Sequence, residues 1–140
     1  MGSDREAQIR RFVEEVWNGK NYAAAGELYA EAYVSPYGRG PRAKAEGIRR
    51  NHEAFSEFRV DIDDLIVAGD RAVLRFTLRG RDTGGYAGRP PTGRVVQEWA
   101  VNMMQFEGDR VVREWMGADK LGLFVQLGVT DDPWPVAAAR

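Results

Sequence analysis

The chain has 140 residues, of which 44% are hydrophobic and 29% charged, and its formal net charge is −1. This composition is typical of a globular protein, and the length favours one domain over residues 1–140. The 20 basic and 21 acidic residues are scattered along the chain, which argues against a nucleic-acid partner. No apolar stretch approaches the ~20 residues of a membrane span, and the N-terminus lacks a signal-peptide core. We therefore expect a cytoplasmic protein that binds neither nucleic acid nor a membrane.

Cysteine is absent from the sequence, and His52 is its only histidine. Disulfides, thiolate nucleophiles and cysteine-ligated metals are therefore excluded, and a zinc site built on three histidines is not expected. We expect no metal site.

Three helices are predicted at the start of the chain. A capping-box pattern over Ser3–Glu6 opens the first, and Asn18-Gly19 ends it. The second is predicted from Tyr22 to about Ala30 and the third from Ala43 to Phe55. The first helix carries apolar residues at i, i+3, i+4, i+7 and i+8, namely Ile9, Phe12, Val13, Val16 and Trp17.

A loop dense in glycine and proline, Tyr33–Pro41, separates the second and third helices. It contains Tyr33 and Ser35, so it is either the rim of a pocket or an ordinary connector with aromatic anchors. Both interpretations stay open. In the third helix His52 shares a stripe with Ile48, and a histidine among apolar neighbours is more often a hydrogen-bonded structural residue than a catalyst.

Period-two alternation then predicts a run of antiparallel strands. A phase slip at Asp63-Asp64 predicts a β-bulge in the first of them. A glycine-rich excursion over residues 80–94 separates the second strand from the third, and no phosphate-binding pattern accompanies it. Three helices followed by strands indicate an α+β domain with helices packed on one face of the sheet. The predicted strands are Arg59–Ala68, Ala72–Arg79, Val95–Phe106 and Val111–Asp119.

The end of the last strand places one carboxylate at a strand–helix junction. Steps of two from Val111 put Trp115 and Asp119 on the same face, and helical spacing of apolar residues begins at Leu121. A carboxyl group that faces an apolar interior can exchange protons near neutrality. The alternative is that Asp119 only N-caps the helix that follows.

Six stretches of the sequence are similar to the SnoaL-like polyketide cyclases of the NTF2-like superfamily. They are the opening helix that ends in Trp17-Asn-Gly19, the segment Leu28–Val34, the hairpin Val67–Gly80, the loop Gly88–Arg94, the segment Glu114–Gly128 and the tail Asp131-Asp-Pro-Trp-Pro135. The resemblance covers nearly the whole chain. It is more specific for family and fold than for the reaction, because one scaffold hosts many chemistries.

The resemblance implies a cone-shaped α+β barrel, with a strongly bent antiparallel sheet around a pocket that the N-terminal helices close. It implies a cofactor-free intramolecular aldol condensation in aromatic polyketide biosynthesis, with Asp119 as the acid–base residue. The chain departs from the family pattern at two positions. Asn102 stands where the cyclases have histidine on the penultimate strand, and Ser35 stands where they have asparagine before the third helix.

The expected substrate is a hydrophobic, polyketide-like small molecule. We predict that Asn102 lies on the pocket face of its strand and donates a hydrogen bond to the enolate oxygen. Aromatic and methionine side chains would form walls that suit a flat polycyclic ligand. The predicted substrate-binding residues are Trp115, Ser35, Tyr33, Met104, Phe12, Trp17 and His52.

Other functions on the same scaffold remain open at this point. One is a hydroxylase component, and another is an epoxide hydrolase that would use Asp119 and Arg113. A third is a non-catalytic ligand-binding or assembly domain. Apolar residues on the outer sheet face, such as Trp99 and Val101, predict a homodimer or homotetramer in each case.

Overall fold

The computed structural model describes residues 2–133, with side chains from residue 4 onward. The side chain of Ser3 and the end of the predicted tail, from Trp134, therefore lie outside the described residues. The helical elements are α1 (Gly2–Phe12), a π-helical segment that continues it (Val13–Asn18), a 3₁₀ helix (Tyr22–Glu27), α2 (Gly40–Ala54) and α3 (Lys120–Gln126).

The helices lie close to their predicted positions. The first helical stretch ends at Gly19 as predicted, where an added Cβ would lie 2.7 Å from the carbonyl oxygen of Glu15. Helix α2 begins at Gly40, three residues before the predicted start, with proline in its first turn.

The second helix is shorter than predicted, because its last residues bond to a strand. The Ala30 amide donates to the Val111 carbonyl at 3.0 Å, and the Val111 amide donates to the Leu28 carbonyl at 2.7 Å. These bonds use backbone groups that a longer helix would need.

Four strands form one antiparallel sheet in the order β3-β4-β5-β6. The loop predicted before the third helix contains a small additional hairpin, β1 paired with β2. The sheet is curved, and the helices cover its inner face. The strands are β1 (Val34–Ser35), β2 (Gly38–Arg39), β3 (Phe55–Ala68), β4 (Arg71–Asp82), β5 (Val95–Glu107) and β6 (Arg110–Ala118).

The core lies between the inner face of the sheet and the helices. In β4 buried and more exposed residues alternate from Arg71 onward, as a half-buried strand requires. The predicted α+β fold is confirmed. The prediction of one domain over residues 1–140 stays a prediction, because residues 134–140 lie outside the described part. The buried residues at the centre of this core include Ile9, Val13, Val16, Ala72, Leu74 and Phe76.

Register shifts occur at three places in the described sheet, and only one was predicted. The slip expected at Asp63-Asp64 is confirmed, because Ile62 pairs with Phe76 and Asp64 with Arg75. A second shift lies in β3 between Ser56 and Arg59. The third is a bulge in β6. There, Val111 pairs with Phe106 and Arg113 with Gln105, which leaves Val112 without a counterpart.

The bulge at Val112 reverses the predicted faces of β6. Trp115 lies on the outer face and is 44% exposed, with the guanidinium groups of Arg71 and Arg113 over its ring. The prediction that Trp115 lines the pocket is therefore wrong. Inward-facing residues are instead Glu114, Met116 and Ala118.

Among the helices that the structure describes, none is both long and apolar enough to span a bilayer.

Candidate functional site

A cavity of about 790 Å³ opens between α2 and the inner faces of β5 and β6. The hairpin segment at residues 33–37 and the excursion at residues 84–88 complete its wall. Its volume is within the range typical of small-molecule sites. The lining residues include Trp17, Tyr33, Ser35, Lys44, Ile48, Phe76, Glu98, Ala100, Glu114, Met116, Ala118 and Lys120.

A buried ion pair lies at the closed end of this cavity. The Nζ atom of Lys44 on α2 is 2.6 Å from Oε1 of Glu114 on β6. The two side chains are only 6% and 3% exposed. Burial of an isolated charge is strongly unfavourable, so each group requires the other.

Three further donors surround the carboxylate of Glu114. The Tyr29 hydroxyl donates to Oε2 at 2.5 Å, and the Tyr33 hydroxyl donates to Oε1 at 3.3 Å. The amide nitrogen of Asn102 donates to Oε2 at 3.3 Å. Burial, followed by the negative charge of Glu114, raises the pKa of both tyrosines, so both stay protonated donors.

A second ion pair lies elsewhere on the cavity wall. Lys120 Nζ is 3.1 Å from Oε2 of Glu98 and donates to the Tyr86 hydroxyl at 2.8 Å. Burial works against protonation of Lys120, but these two partners outweigh it and raise its pKa. Glu114 and Glu98 are thus each paired with an ammonium group, whereas Glu53, which also lines the cavity, pairs with the guanidinium of Arg49. Within residues 2–133, no three His, Asp or Glu side chains converge as a metal site requires.

The base of the excursion over residues 83–93 is held by one buried carboxylate. Asp82 is 1% exposed and accepts from the Gly85 amide at 3.2 Å. Its other oxygen accepts from the Thr92 amide and hydroxyl, each at 2.9 Å. These bonds fix both ends of the segment that carries Tyr86 to the cavity.

Asp119 caps helix α3. Its Oδ1 accepts from the Gly122 amide at 3.0 Å, so the capping interpretation is confirmed. Its neighbours Ala118 and Lys120 line the cavity, whereas Asp119 itself is not among the lining residues. Its acid–base role stays a prediction.

Three of the predicted substrate-binding residues, Trp17, Tyr33 and Ser35, line the cavity. Two others, Met104 and Phe12, lie in the core behind it. Met104 is opposite Glu114 in the sheet, but it is only 1% exposed and is not among the lining residues. Phe12 lies behind Tyr29, with ring centroids 5.1 Å apart.

His52 also lies behind the wall. Its Nε2 donates to the Trp17 carbonyl and its Nδ1 accepts from the Tyr22 hydroxyl, both at 2.7 Å. Burial lowers the pKa of His52, although the bond to the Trp17 carbonyl opposes this effect. The geometry therefore fits the interpretation of His52 as a hydrogen-bonded structural residue. It does not fit the prediction that His52 binds substrate.

Two expected roles require correction. Asn102 was predicted to donate to a substrate enolate, but its amide group donates to Glu114 and the side chain lies beneath that residue. An epoxide hydrolase would need Arg113 beside Asp119 in the pocket. The Val112 bulge turns Arg113 to the outer face, where it packs on Trp115.

Lys44, Glu114 and Tyr29 were not identified from the sequence. One available signal was that Lys44 and Ile48 are spaced i, i+4, which puts a lysine on the buried stripe of α2. Counting β6 backwards from Ala118 also places Glu114 on the inner face. The bulge at Val112 made the forward count from Val111 misleading.

The comparisons with known proteins agree on one family. The family model described as SnoaL-like polyketide cyclase matches residues 7–127. A curated relative, the aklanonic acid methyl ester cyclase AcmA of Streptomyces galilaeus, is 30% identical over 147 residues. That alignment covers 99% of this chain and 98% of AcmA.

Solved structures show the same fold. TsrD from Streptomyces laurentii superimposes with a TM-score of 0.86 at 26% identity, over 93% of this chain and 98% of TsrD. AclR from Streptomyces galilaeus, provisionally described as a hydroxylase, gives a TM-score of 0.81 at 20% identity. That match covers 99% of this chain and 90% of AclR, and it carries information on the fold alone.

Proposed function

The chain belongs to the SnoaL-like polyketide cyclase family, and we propose that it closes a ring of an aromatic polyketide precursor by cofactor-free intramolecular aldol condensation. The observation that carries this proposal is the cavity of about 790 Å³ with a buried, charge-matched polar cluster at its closed end. An open cavity of this kind supports an enzyme over an assembly module, whose pocket would be filled by side chains.

The reaction requires only movement of protons and one new carbon–carbon bond. A base removes a proton from the carbon between two carbonyl groups, and the electron pair moves onto oxygen to form an enolate. The enolate carbon attacks a second carbonyl carbon of the same molecule. The resulting alkoxide takes up a proton, so the ring-closed product of the addition has the mass of the substrate. No electrons are gained or lost, and side chains suffice for every step.

We propose Asp119 as the group that accepts and returns this proton. The family resemblance supports this role, although Asp119 lies beside the cavity-lining residues Ala118 and Lys120 and does not itself line the cavity. The hydrogen bond from Gly122 engages Oδ1 and holds the carboxylate in one orientation. A base with a fixed orientation favours proton transfer at one defined carbon.

The proposed substrate class is a hydrophobic polyketide ester with at least one flat ring system. Aromatic and aliphatic lining residues such as Trp17, Ile48 and Phe76 suit such a molecule. The name of the relative AcmA supplies the first compound to test, aklanonic acid methyl ester.

The test is incubation of the purified protein with aklanonic acid methyl ester, followed by liquid chromatography and mass spectrometry. We expect a product with the mass of the substrate and a new retention time, formed well above the uncatalysed rate. The matched control is the Asp119→Asn variant, which keeps the cap. Absence of this isomer at stoichiometric enzyme would overturn the proposed reaction on this ester.

We also propose that the protein forms a homodimer through the outer face of its sheet. Trp99, Met103 and Trp115 are 50%, 40% and 44% exposed, and Met103 is opposite Trp115 in the sheet. Exposed apolar side chains grouped on one face in this way are typical of a protein interface. A homotetramer would need a second surface. The cytoplasmic location expected from the sequence stays a prediction.

A further inference from the structure

The ammonium group of Lys44 has hydrogen-bonding capacity that its surroundings do not use. An ammonium carries three donors, and within the described residues the acceptor recorded for Nζ is Glu114 alone. The ring of Tyr29 lies 4.9 Å from Nζ and provides a cation–π contact but no acceptor lone pair in the cavity. Lys44 also lines the cavity, so donors remain for a ligand there.

Glu114 is in the opposite situation, because donors surround it. Its two oxygens accept from Lys44, Tyr29, Tyr33 and Asn102. Protein donors therefore occupy both oxygens of Glu114, so this carboxylate is poorly placed to accept a proton from a substrate carbon. Its charge instead compensates the buried ammonium group of Lys44.

The same pairing argues against a covalent role for Lys44. A lysine that forms a Schiff base must lose its proton, and enzymes favour this by desolvation or by placing another cation nearby. Here an anion, and not a cation, lies 2.6 Å from Nζ. A protonated amine has no lone pair with which to attack a carbonyl group.

We propose that Lys44 is a catalytic residue that binds the enolate oxygen of the substrate, and that Glu114 is the positioning residue that pairs with Lys44 and orients it. This inference rests on the proposed cyclase function and names the group that would stabilise its intermediate. As the proton leaves carbon, negative charge develops on the carbonyl oxygen at the closed end of the cavity. Lys44 donates to that oxygen without transferring its proton, in a site where water is largely excluded.

The test uses a stable mimic of an enolate and requires no turnover. The probe is 2-hydroxyanthraquinone, a flat three-ring compound whose absorbance reports ionisation of its single phenol. Its binding and its apparent pKa are measured on the wild-type protein and on variants. A cation within about 4–6 Å of the phenolate lowers its pKa by about 1–3 units relative to a site without that cation.

The variants change charges in matched sets. Lys44→Arg keeps the cation, whereas the double variant Lys44→Met/Glu114→Gln removes both charges and leaves no uncompensated ion. Thermal melting of each variant establishes that it is folded. Lys120→Met is the matched control, since it removes the other cavity ammonium.

We expect the bound phenol to ionise at lower pH in the wild type, in Lys44→Arg and in Lys120→Met, and to lose this shift in the folded double variant. Retention of the shift in the double variant, or its loss in Lys120→Met with Lys44 intact, would overturn the inference. So would a covalent adduct at Lys44 after borohydride reduction with aklanonic acid methyl ester.

The probe also separates this inference from the proposed function. Failure of the probe to bind the wild type would contradict the cavity assignment on which both depend. Binding with an unshifted phenol pKa would overturn the role of Lys44 alone and leave the cyclase proposal standing.

Discussion

The carboxylate of Asp119 and the backbone of Gly122 fit against each other at the junction of β6 and α3. The Gly122 amide donates to Oδ1 at 3.0 Å, and a Cβ on Gly122 would lie only 2.2 Å from Oδ2. Glycine at position 122 therefore gives the carboxylate the space that it occupies. The cap needs only a side-chain oxygen that accepts this hydrogen bond, whereas the acid–base role needs a group that exchanges a proton. Substitutions at positions 119 and 122 can therefore separate the two roles of Asp119.

Asp119→Asn is expected to keep the cap and lose the chemistry. Asparagine caps helices about as well as aspartate, so the melting temperature should change little. Turnover of aklanonic acid methyl ester should fall by about a hundredfold or more, because an amide cannot exchange the proton. The measurement pairs calorimetry with the chromatographic assay. Turnover within a few-fold of wild type would remove Asp119 from the acid–base role.

The comparison variant is Gly122→Ala, which leaves the carboxyl group and displaces it. The added Cβ forces the carboxylate to rotate, and loss of the cap should cost about 1 kcal/mol of unfolding free energy, which the higher helix propensity of alanine offsets. Turnover should fall if orientation of the carboxylate matters. Full activity in the Gly122→Ala protein would show that the capped orientation is dispensable.

The Lys44–Glu114 pair is expected to be strongly coupled in stability. Lys44→Met or Glu114→Gln alone should lower the free energy of unfolding by about 3–5 kcal/mol, because each leaves a buried charge or broken network behind. The double variant should lose clearly less than the sum of the two. Urea denaturation of all four proteins gives the coupling energy, and additive losses would contradict a buried, interdependent pair.

His52 should make stability depend on pH in a defined direction. Its pKa is lowered from 6.5, chiefly by burial, whereas in the unfolded chain it regains that ordinary value. As the pH falls below 6.5, the unfolded state binds the proton first and is favoured. The contribution of His52 to the free energy of unfolding is therefore complete above pH 6.5. It is lost as the pH falls through the lower pKa of the folded state.

The measurement is the melting temperature of wild type and His52→Gln between about pH 7 and pH 5. The variant should show a weaker decline on acidification, because the residue that takes up the proton is gone. The side chain is partly exposed and Lys20 contributes to the lowered pKa, so the assay is run at constant ionic strength. Parallel pH profiles for the two proteins would refute this account.

The two faces of β6 can be distinguished by adjacent substitutions. Met116→Trp should fill part of the cavity and weaken 2-hydroxyanthraquinone binding by about tenfold or more, a change of ~1.4 kcal/mol. Trp115→Phe, one residue away on the outer face, should leave the dissociation constant unchanged. Equilibrium titration measures both, and the reverse pattern would mean that the face assignment after Val112 is incorrect.

Trp99 should contribute to self-association. Wild type is expected to sediment as a dimer at micromolar concentration, and Trp99→Lys should shift it towards monomer by placing charge in an apolar interface. Asn21→Lys, at an exposed position outside the sheet, is the matched charge control. A monomeric wild-type protein at high micromolar concentration would contradict the homodimer proposal.

The local elements were largely determined by the sequence alone. Helical spacing from Ile9 to Trp17, the stop at Gly19 and the alternation through Leu74 and Phe76 depend on neighbouring residues, and so could be predicted without contacts. The bulge at Asp63 was visible because apolar alternation changes phase on both sides of it.

The site was decided by tertiary structure. Lys44 and Glu114 lie 70 positions apart, and their pairing depends on how α2 packs across the sheet. The bulge at Val112 gave no sequence signal, because Val111 and Val112 are equally apolar and alternation continues on either count. A one-residue slip turns every later side chain to the other face, which moved Trp115 outward and brought Glu114 to the cavity. Such a slip is selected by pairing with β5 and by burial against the helices, and those energies exist only in the folded chain.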